Sequence, residues 1–308
     1  MKKVLVSWSV AYDTVMAFDG TFADHIMADR LNNLNVGFTI SQLQKSSGGT
    51  AHNIAYTLGL LGYKDQTIML AAVGKDFIIN EHLSTYISYE HIYQDADLFT
   101  ASAYITTDIH HNQITSFYPG AMNSGDRQTL PDQEIAYAMI SPQSKSAMMA
   151  HLQQAQSKHI PCFFDPGQAM TLFSWEELIQ CLSYANYLIC NAYEFAMIQD
   201  KTWRSEQQIK ASLDKIIITL GKEGVRLLST DTEHIIPGII VEHAIDPTGA
   251  GDSFRGGLLA GLLAGASWED AAKMGNITAS YCVAVSGTLN HTCSLQDVEK
   301  KLQEVYSQ

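Results

Sequence analysis

Two aspartates stand six residues apart in Asp246-Pro-Thr-Gly-Ala-Gly-Asp-Ser-Phe-Arg-Gly-Gly, with a Gly-Ala-Gly turn between them. The apolar run Leu258 to Leu263 follows at once and predicts a helix, which puts Asp252 at or just before its first turn. The first N–H groups of a helix lack internal partners and carry the positive end of the macrodipole. Gly249 and Gly251 leave no Cβ to block an approaching anion. A carboxylate set in an anion cradle suits phosphoryl transfer to a hydroxyl: the amides hold developing phosphate charge and the carboxylate takes the hydroxyl proton. Taken alone, the same pattern is also an ordinary helix start capped by an aspartate.

Other constellations share this ambiguity one by one. Gly48-Gly-Thr-Ala-His-Asn53 precedes a predicted helix, so its glycines bring backbone amides close to a polar ligand. Asn53 can donate and accept, as adjacent sugar hydroxyls require. Asp13 follows the first predicted strand and is a second candidate for sugar hydroxyls, because ligands of open α/β sheets bind beyond the carboxyl ends of strands. Asn191 and Glu194, at i and i+3, could order the waters of a magnesium ion; by themselves they read as an N-cap with a capping box. Thr219-Leu-Gly-Lys-Glu-Gly224 joins two predicted strands, either as a plain hairpin turn or as a tight turn beside a flat ligand or phosphate.

The 308 residues carry a net charge of −13 with no basic cluster, which argues against nucleic acid or an anionic membrane as partner. No run approaches the length of a membrane span. The apolar part of the Met-Lys-Lys-Val-Leu-Val-Ser start is too short for a signal peptide and runs into Asp13, so it reads as a first strand. The five cysteines are odd in number, lack any Cys-x-x-Cys pair and sit in apolar surroundings. They read as reduced buried thiols in a cytoplasmic protein. Gly-x4-Gly-Lys-Ser/Thr, His-Glu-x-x-His and Gly-x-Ser-x-Gly are absent, which excludes a standard P-loop enzyme, a zincin and a hydrolase elbow.

The elements that must position these residues alternate. Val4–Ser9, Thr67–Val73, Ala136–Ile140, Ile160–Phe164, Tyr187–Cys190 and Lys215–Leu220 read as buried strands. Between them lie helical patterns at Ala51–Leu61, Ser146–Ser157, Trp175–Leu182 and Glu206–Leu213. The alternation predicts an α/β fold with a doubly wound, mostly parallel sheet flanked by helices. Two stretches break it: Tyr12–Gln44, polar with strand-like pieces such as Val36–Ile40, and the hairpin Ala101–Tyr118, turning through Asp108-Ile-His-His-Asn112. They predict a small β-sheet lid over a single domain, 1–308, with lid segments at about 12–44 and 99–120.

The combination of motifs resembles the ribokinase (PfkB) family of sugar and nucleoside kinases. Asp246 to Gly257 is similar to its C-terminal signature, Gly48-Gly49 with Asn53 to its N-terminal one, and Asn191/Glu194 and Thr219-Leu-Gly221 to its magnesium and nucleotide motifs. They occur in the family's order and span nearly the whole chain. The resemblance implies transfer of the ATP γ-phosphate to a primary hydroxyl. It makes Asp252 the general base and Gly249, Ala250 and Gly251 the anion hole. Asp13, Gly48, Gly49 and Asn53 would hold a ribose-type ring. Asn191, Thr219, Gly221, Gly224 and Asn276 would line the ATP site, with Glu194 on Mg2+ through water. Asp246 and Thr248 match positions that help bind a monovalent cation, K+ by expectation. The hairpin sequence Ile105-Thr-Thr-Asp108 to Asn112-Gln-Ile-Thr-Ser-Phe-Tyr-Pro-Gly-Ala-Met122 looks like the lid of bacterial adenosine kinases, with Asn112 in the place of a lid glutamate of ribokinases. That favours adenosine or a related nucleoside over free ribose or fructose, with Phe117 as a neighbour of the base. Both a monomer and a homodimer fit the resemblance.

Overall fold

The computed structural model describes residues 2–306, so Met1, Ser307 and Gln308 of the expected 1–308 domain lie outside the described residues. Thirteen strands appear in it: β1 (Lys3–Ser7), β2 (Ala11–Phe18), β3 (Ile40–Gly48), β4 (Thr67–Val73), β5 (Ile92–Gln94), β6 (Ala101–Thr107), β7 (Gln113–Tyr118), β8 (Ile135–Ile140), β9 (Cys162–Phe164), β10 (Tyr187–Asn191), β11 (Lys215–Thr219), β12 (Gly224–Leu228) and β13 (Glu233–Pro237). Nine of them form one sheet in the order β13-β12-β11-β10-β9-β8-β1-β4-β5, parallel from β5 through β11, with β12 and β13 running antiparallel at one edge. The remaining four make a separate small sheet, β3-β2-β6-β7. The α-helices are α1 (Thr50–Leu60), the single turn α2 (Glu81–Ser84), α3 (Lys145–Ser157), α4 (Trp175–Tyr184), α5 (Ala192–Thr202), α6 (Glu206–Lys210), α7 (Ala250–Leu263), α8 (Trp268–Cys282) and α9 (Leu295–Tyr306).

The apolar strand runs are apolar at every position because both faces of the large sheet are covered. Successive residues alternate between two cores, as the two-residue period of a strand dictates. Val4 and Val6 of β1, Met69 and Ala71 of β4 and Ile217 of β11 join α1, α7, α8 and α9 on one side. Leu5, Ile68, Leu70, Ile216 and Ile218 join α3, α4, α5 and α6 on the other. From β1 the chain proceeds to β4 in one direction, and from β8 through β11 in the other. The strand order therefore reverses between β1 and β8, where α/β sheets open a crevice at their carboxyl ends.

Three expectations shift. The stretch Val36–Ile40 is not a strand; pairing starts at Ile40 and runs on to Gly48, past the expected end of that lid segment. Its apolar signal belongs to Phe38, which packs against Phe18 and Phe22 in a local aromatic cluster. Asp13 does not follow the first strand directly but sits inside β2 of the small sheet. The helix expected over Glu206–Leu213 stops at Lys210.

α7 and α8 approach closely through glycines. An ideal Cβ at Gly257 would collide with the Thr278 hydroxyl and lie 2.7 Å from the Met274 carbonyl oxygen. An alanine ordinarily favours a helix interior over glycine by about 1 kcal/mol. At this position Gly257→Ala is expected instead to destabilise by about 1–3 kcal/mol through overpacking. Urea unfolding should show this as a lower midpoint at unchanged slope.

Candidate active site

Polar residues, several of them singled out from the sequence, gather along the carboxyl ends of adjacent parallel strands. Trp8 follows β1, Ser141 follows β8, Asp165 follows β9, Asn191 and Glu194 stand at the end of β10, and Thr219 ends β11. Facing them is the N-terminus of α7, which begins at Ala250 after the left-handed Gly249 (φ 78°). The amide of Ala250 bonds the Pro247 carbonyl at 3.2 Å, whereas those of Gly251 and Asp252 make no backbone bond among the described residues. These two first-turn amides are the free donors of the cradle.

Asp252 is the third residue of α7. Burial pushes its carboxyl up to about 7, against the opposing pull of the Arg255 guanidinium and of the Asn53 Nδ2, which donates to its Oδ2 at 2.7 Å. A buried carboxylate is disfavoured by lost hydration, and a cation and a donor recover only part of that loss. The group is therefore poised to change protonation near neutral pH, as a general base must.

On one side of Asp252 lies a polar recess. Asn53 in α1 is 5% exposed, and its Oδ1 has no partner among the described residues, so this side chain holds Asp252 with one end and offers an unused acceptor with the other. Gly49 has φ 89°, and a Cβ there would lie 2.7 Å from both the Ser9 carbonyl and the Ala11 amide. A Cβ at Gly48 would strike the Asp13 carboxylate, so the carboxylate fills the space a side chain would take. Burial raises the Asp13 pKa as well. Register places Asp13 opposite Ser46, Ala103 and, across β6, Phe117. Paired residues share a face of a sheet, so Phe117 stands on the same face as Asp13. The next row on that face holds Val15 and Ile105. Phe117 is 51% exposed and Val15 39%, which leaves apolar surface open beside the recess.

On the other side of Asp252 a cavity of about 640 Å³ is lined by Thr219, Gly221, Gly224 and Asn276, with apolar walls including Ile239, Val241, Phe254 and Ala279. Ala250 and Gly251 close its inner end. Four of the five residues expected along a nucleotide thus line one cavity; Asn191, which caps α5 at the end of β10, is not part of its lining. Asn276 is tied down by its Nδ2, which donates to the Pro237 carbonyl (3.0 Å) and to Tyr306 Oη (3.2 Å).

Asn191 and Glu194 form a reciprocal capping box at the start of α5: the Asn191 amide donates to Glu194 Oε2 and the Glu194 amide to Asn191 Oδ1, both at 2.8 Å. Burial raises the Glu194 carboxyl, the Asn191 amide opposes that, and the Asp165 charge adds to it. Asp246 accepts from the Thr248 amide at 2.9 Å and the Gly287 amide at 3.0 Å. Burial pushes its carboxyl up, but these amides outweigh it and hold the pKa below the usual range. Among the described residues, no cluster of three or more His, Cys, Asp or Glu side chains is arranged to hold a metal ion. None of the described helices is long and apolar enough to cross a membrane.

Sequence reasoning passed over two residues. Arg255 was visible only as part of the glycine-rich motif, and Asp165 only as a turn residue in Phe-Asp-Pro-Gly. They form a bidentate ion pair, Nε to Oδ2 at 2.6 Å and Nη2 to Oδ1 at 2.8 Å, directly behind Asp252. The position of Asp165, immediately after a buried parallel strand, is the signal that could have found it.

This geometry has close counterparts. A profile of the pfkB family of carbohydrate kinases matches residues 12–293. A nucleoside kinase of Methanothermobacter thermautotrophicus is 30% identical over 292 residues, covering 89% of this chain and 90% of the relative. The nucleoside kinase of Burkholderia thailandensis in complex with inosine superposes with a TM-score of 0.86 at 32% identity, over 99% of this chain and 98% of the other. That of Methanocaldococcus jannaschii does so with a TM-score of 0.88 at 26% identity, over 99% of both chains. Fold and sequence agree: the chain belongs to the PfkB family of carbohydrate kinases and is a phosphotransferase that acts on a hydroxyl group.

Proposed function

We propose that the chain is a nucleoside kinase that transfers the γ-phosphate of ATP to the 5′-hydroxyl of adenosine or a related nucleoside. The observation that carries this reading is the position of Asp252, a desolvated carboxyl at a helix N-terminus, between a nucleotide-sized cavity and a polar recess. The recess of Asp13, Gly48, Gly49 and Asn53 takes the ribose, with Asn53 Oδ1 as acceptor for a ring hydroxyl. ATP occupies the cavity beside Thr219, Gly221, Gly224 and Asn276, its γ-phosphate toward the first turn of α7. Asp252 accepts the 5′-hydroxyl proton as that oxygen attacks phosphorus, and the Gly249–Asp252 turn holds the charge that develops.

Magnesium carried with the nucleotide would neutralise charge on the β- and γ-phosphates. Glu194 and Asn191 would hold it through water, and their fit rests on the Glu194 carboxyl being fixed by Asn191 while facing Asp165 and Arg255. Asp246 and Thr248 would hold a monovalent cation; each Asp246 oxygen accepts one amide and keeps a further lone pair for it. The small sheet acts as a lid that excludes water from the acceptor. Its exposed Phe117 and Val15 beside Asp13 suit a nucleobase better than the open end of a free sugar. The relative solved with inosine supports a nucleoside acceptor.

The reading is tested by ADP release with ATP and magnesium, comparing kcat/KM for adenosine with that for ribose. Adenosine is expected to win; a preference for ribose would move the chain to the sugar kinases with the same catalytic residues. Asp252→Asn should lower turnover at least about 100-fold with folding intact, and near-normal turnover would remove Asp252 from the role of base. Because the base acts deprotonated and its pKa is raised to about 7, kcat/KM should level off above that pH. Below it, kcat/KM should fall roughly tenfold per pH unit. Phe117→Ala should cost about 1–3 kcal/mol of base stacking, roughly 5- to 150-fold in kcat/KM for adenosine. The same substitution should leave that for ribose unchanged.

A further inference from the structure

The ion pair behind Asp252 does more than fill the core. Asp165 is fully buried and Arg255 is 8% exposed. Asp165 Oδ2 also accepts from Ser141 Oγ at 2.9 Å, so the carboxylate is held from β8 as well as by the guanidinium. Arg255 Cζ stands 5.7 Å from the centre of the Trp8 ring, which walls the cation from the β1 side. The remaining guanidinium nitrogen, Nη1, donates to the Gly251 carbonyl at 2.9 Å. A Cβ at Gly251 would lie 2.9 Å from that same nitrogen, so the glycine makes room for the guanidinium as well as for an anion.

The Gly251 carbonyl belongs to the same planar trans peptide as the Asp252 N–H, and the two point in opposite directions. A donor that fixes the carbonyl from inside therefore fixes the direction in which the Asp252 amide leaves the helix. That amide is one of the two free donors of the cradle. We infer that Arg255, clamped by Asp165, is a positioning residue for phosphoryl transfer: it sets the Gly251–Asp252 peptide and places a fixed positive charge near the neighbouring carboxyl. The inference rests on the reading of Asp252 as the base.

The charges around the pair define its signature. Arg255 faces Asp165 after β9, Glu194 of α5 and Asp252 of its own helix. Asp252 faces Arg255 and Asp165, and Asn53 of α1 bonds it. Cys282 of α8, whose thiol burial pushes up to about 12, and His291, which burial pushes down to about 4, are neutral neighbours at neutral pH. Asp165, Glu194 and the base thus share one guanidinium. Loss of Arg255 should raise the Asp252 pKa, and loss of the Asp165 charge should lower it.

The test is the pH profile of kcat/KM and the plateau kcat for Arg255→Gln, Arg255→Lys, Asp165→Asn and Asp252→Asn, with thermal melts and calorimetric adenosine binding on each. Arg255→Gln is expected to lower plateau kcat at least tenfold with KM for adenosine within threefold, and to move the acid limb to higher pH. Arg255→Lys should restore the limb but not the plateau, because a lysine keeps the charge and loses the fork. Asp165→Asn should move the limb the opposite way, to lower pH, and also lower the plateau. A side chain that merely fills space gives no such opposed pair of shifts. A folded Arg255→Gln with plateau kcat within twofold of the parent and an unmoved limb overturns the proposal. Should Arg255→Gln fail to fold, an unmoved limb and unchanged plateau in Asp165→Asn overturn it. If Asp252→Asn itself retains turnover, the base assignment has failed and the positioning proposal falls with it. If only Asp252→Asn is impaired, the base stands and the positioning proposal alone is lost.

Discussion

As the proposed base, Asp252 must be charged to accept a proton and out of water to act without competition, and these demands oppose each other. Burial favours its neutral form, while the α7 N-terminus, the Asn53 amide and the Arg255 guanidinium favour the carboxylate. The result is a group balanced near neutral pH. Much of the surrounding architecture can be understood as what it takes to hold that balance. α1 supplies Asn53, β9 and β8 supply Asp165 and Ser141 to anchor Arg255, and β1 supplies the Trp8 ring beside it.

The same helix start divides the site. Toward the small sheet are polar groups with little room, because Gly48 and Gly49 pack backbone against Asp13 and β2. Toward β11–β13 and α8 is a larger, mainly apolar slot. The two substrates of a phosphotransferase differ in just this way, one offering hydroxyls and the other a flat base with a polyphosphate. The joint between the halves is a single peptide group.

The two-sided sheet was legible from the sequence because strands buried on both faces leave continuous apolar runs, as in Thr67–Val73 and Lys215–Thr219. The cradle was legible because glycine spacing and a following apolar run are local signals. Asp13 was picked as a residue but misplaced: one sequence does not show that Ala11–Phe18 leaves the main sheet to pair with β3 and β6. Val36 and Phe38 looked like strand residues, and packing of Phe38 against Phe18 and Phe22 explains the same apolarity without a strand. The Asp165–Arg255 pair spans 90 residues, and nothing local in either segment announces the other. Asn276 was assigned to the nucleotide by resemblance, but its bonds to Pro237 and Tyr306 come only from tertiary structure.

Those last bonds affect how the molecule is made. Tyr306 donates to the Pro237 carbonyl at 2.7 Å and accepts from Asn276, so α9 ties the β13 end to α8 along one wall of the larger cavity. α7, α8 and α9 also provide much of the cover for the sheet face that carries Val4, Val6 and Val73. A ribosome delivers the amino-terminal strands first. Until α7, α8 and α9 are made, that face has only α1 as cover, and neither the cradle nor the adjoining cavity yet exists. The nascent chain thus passes through a stage in which this apolar sheet face is only partly covered. Catalytic competence waits on the docking of α7, α8 and α9.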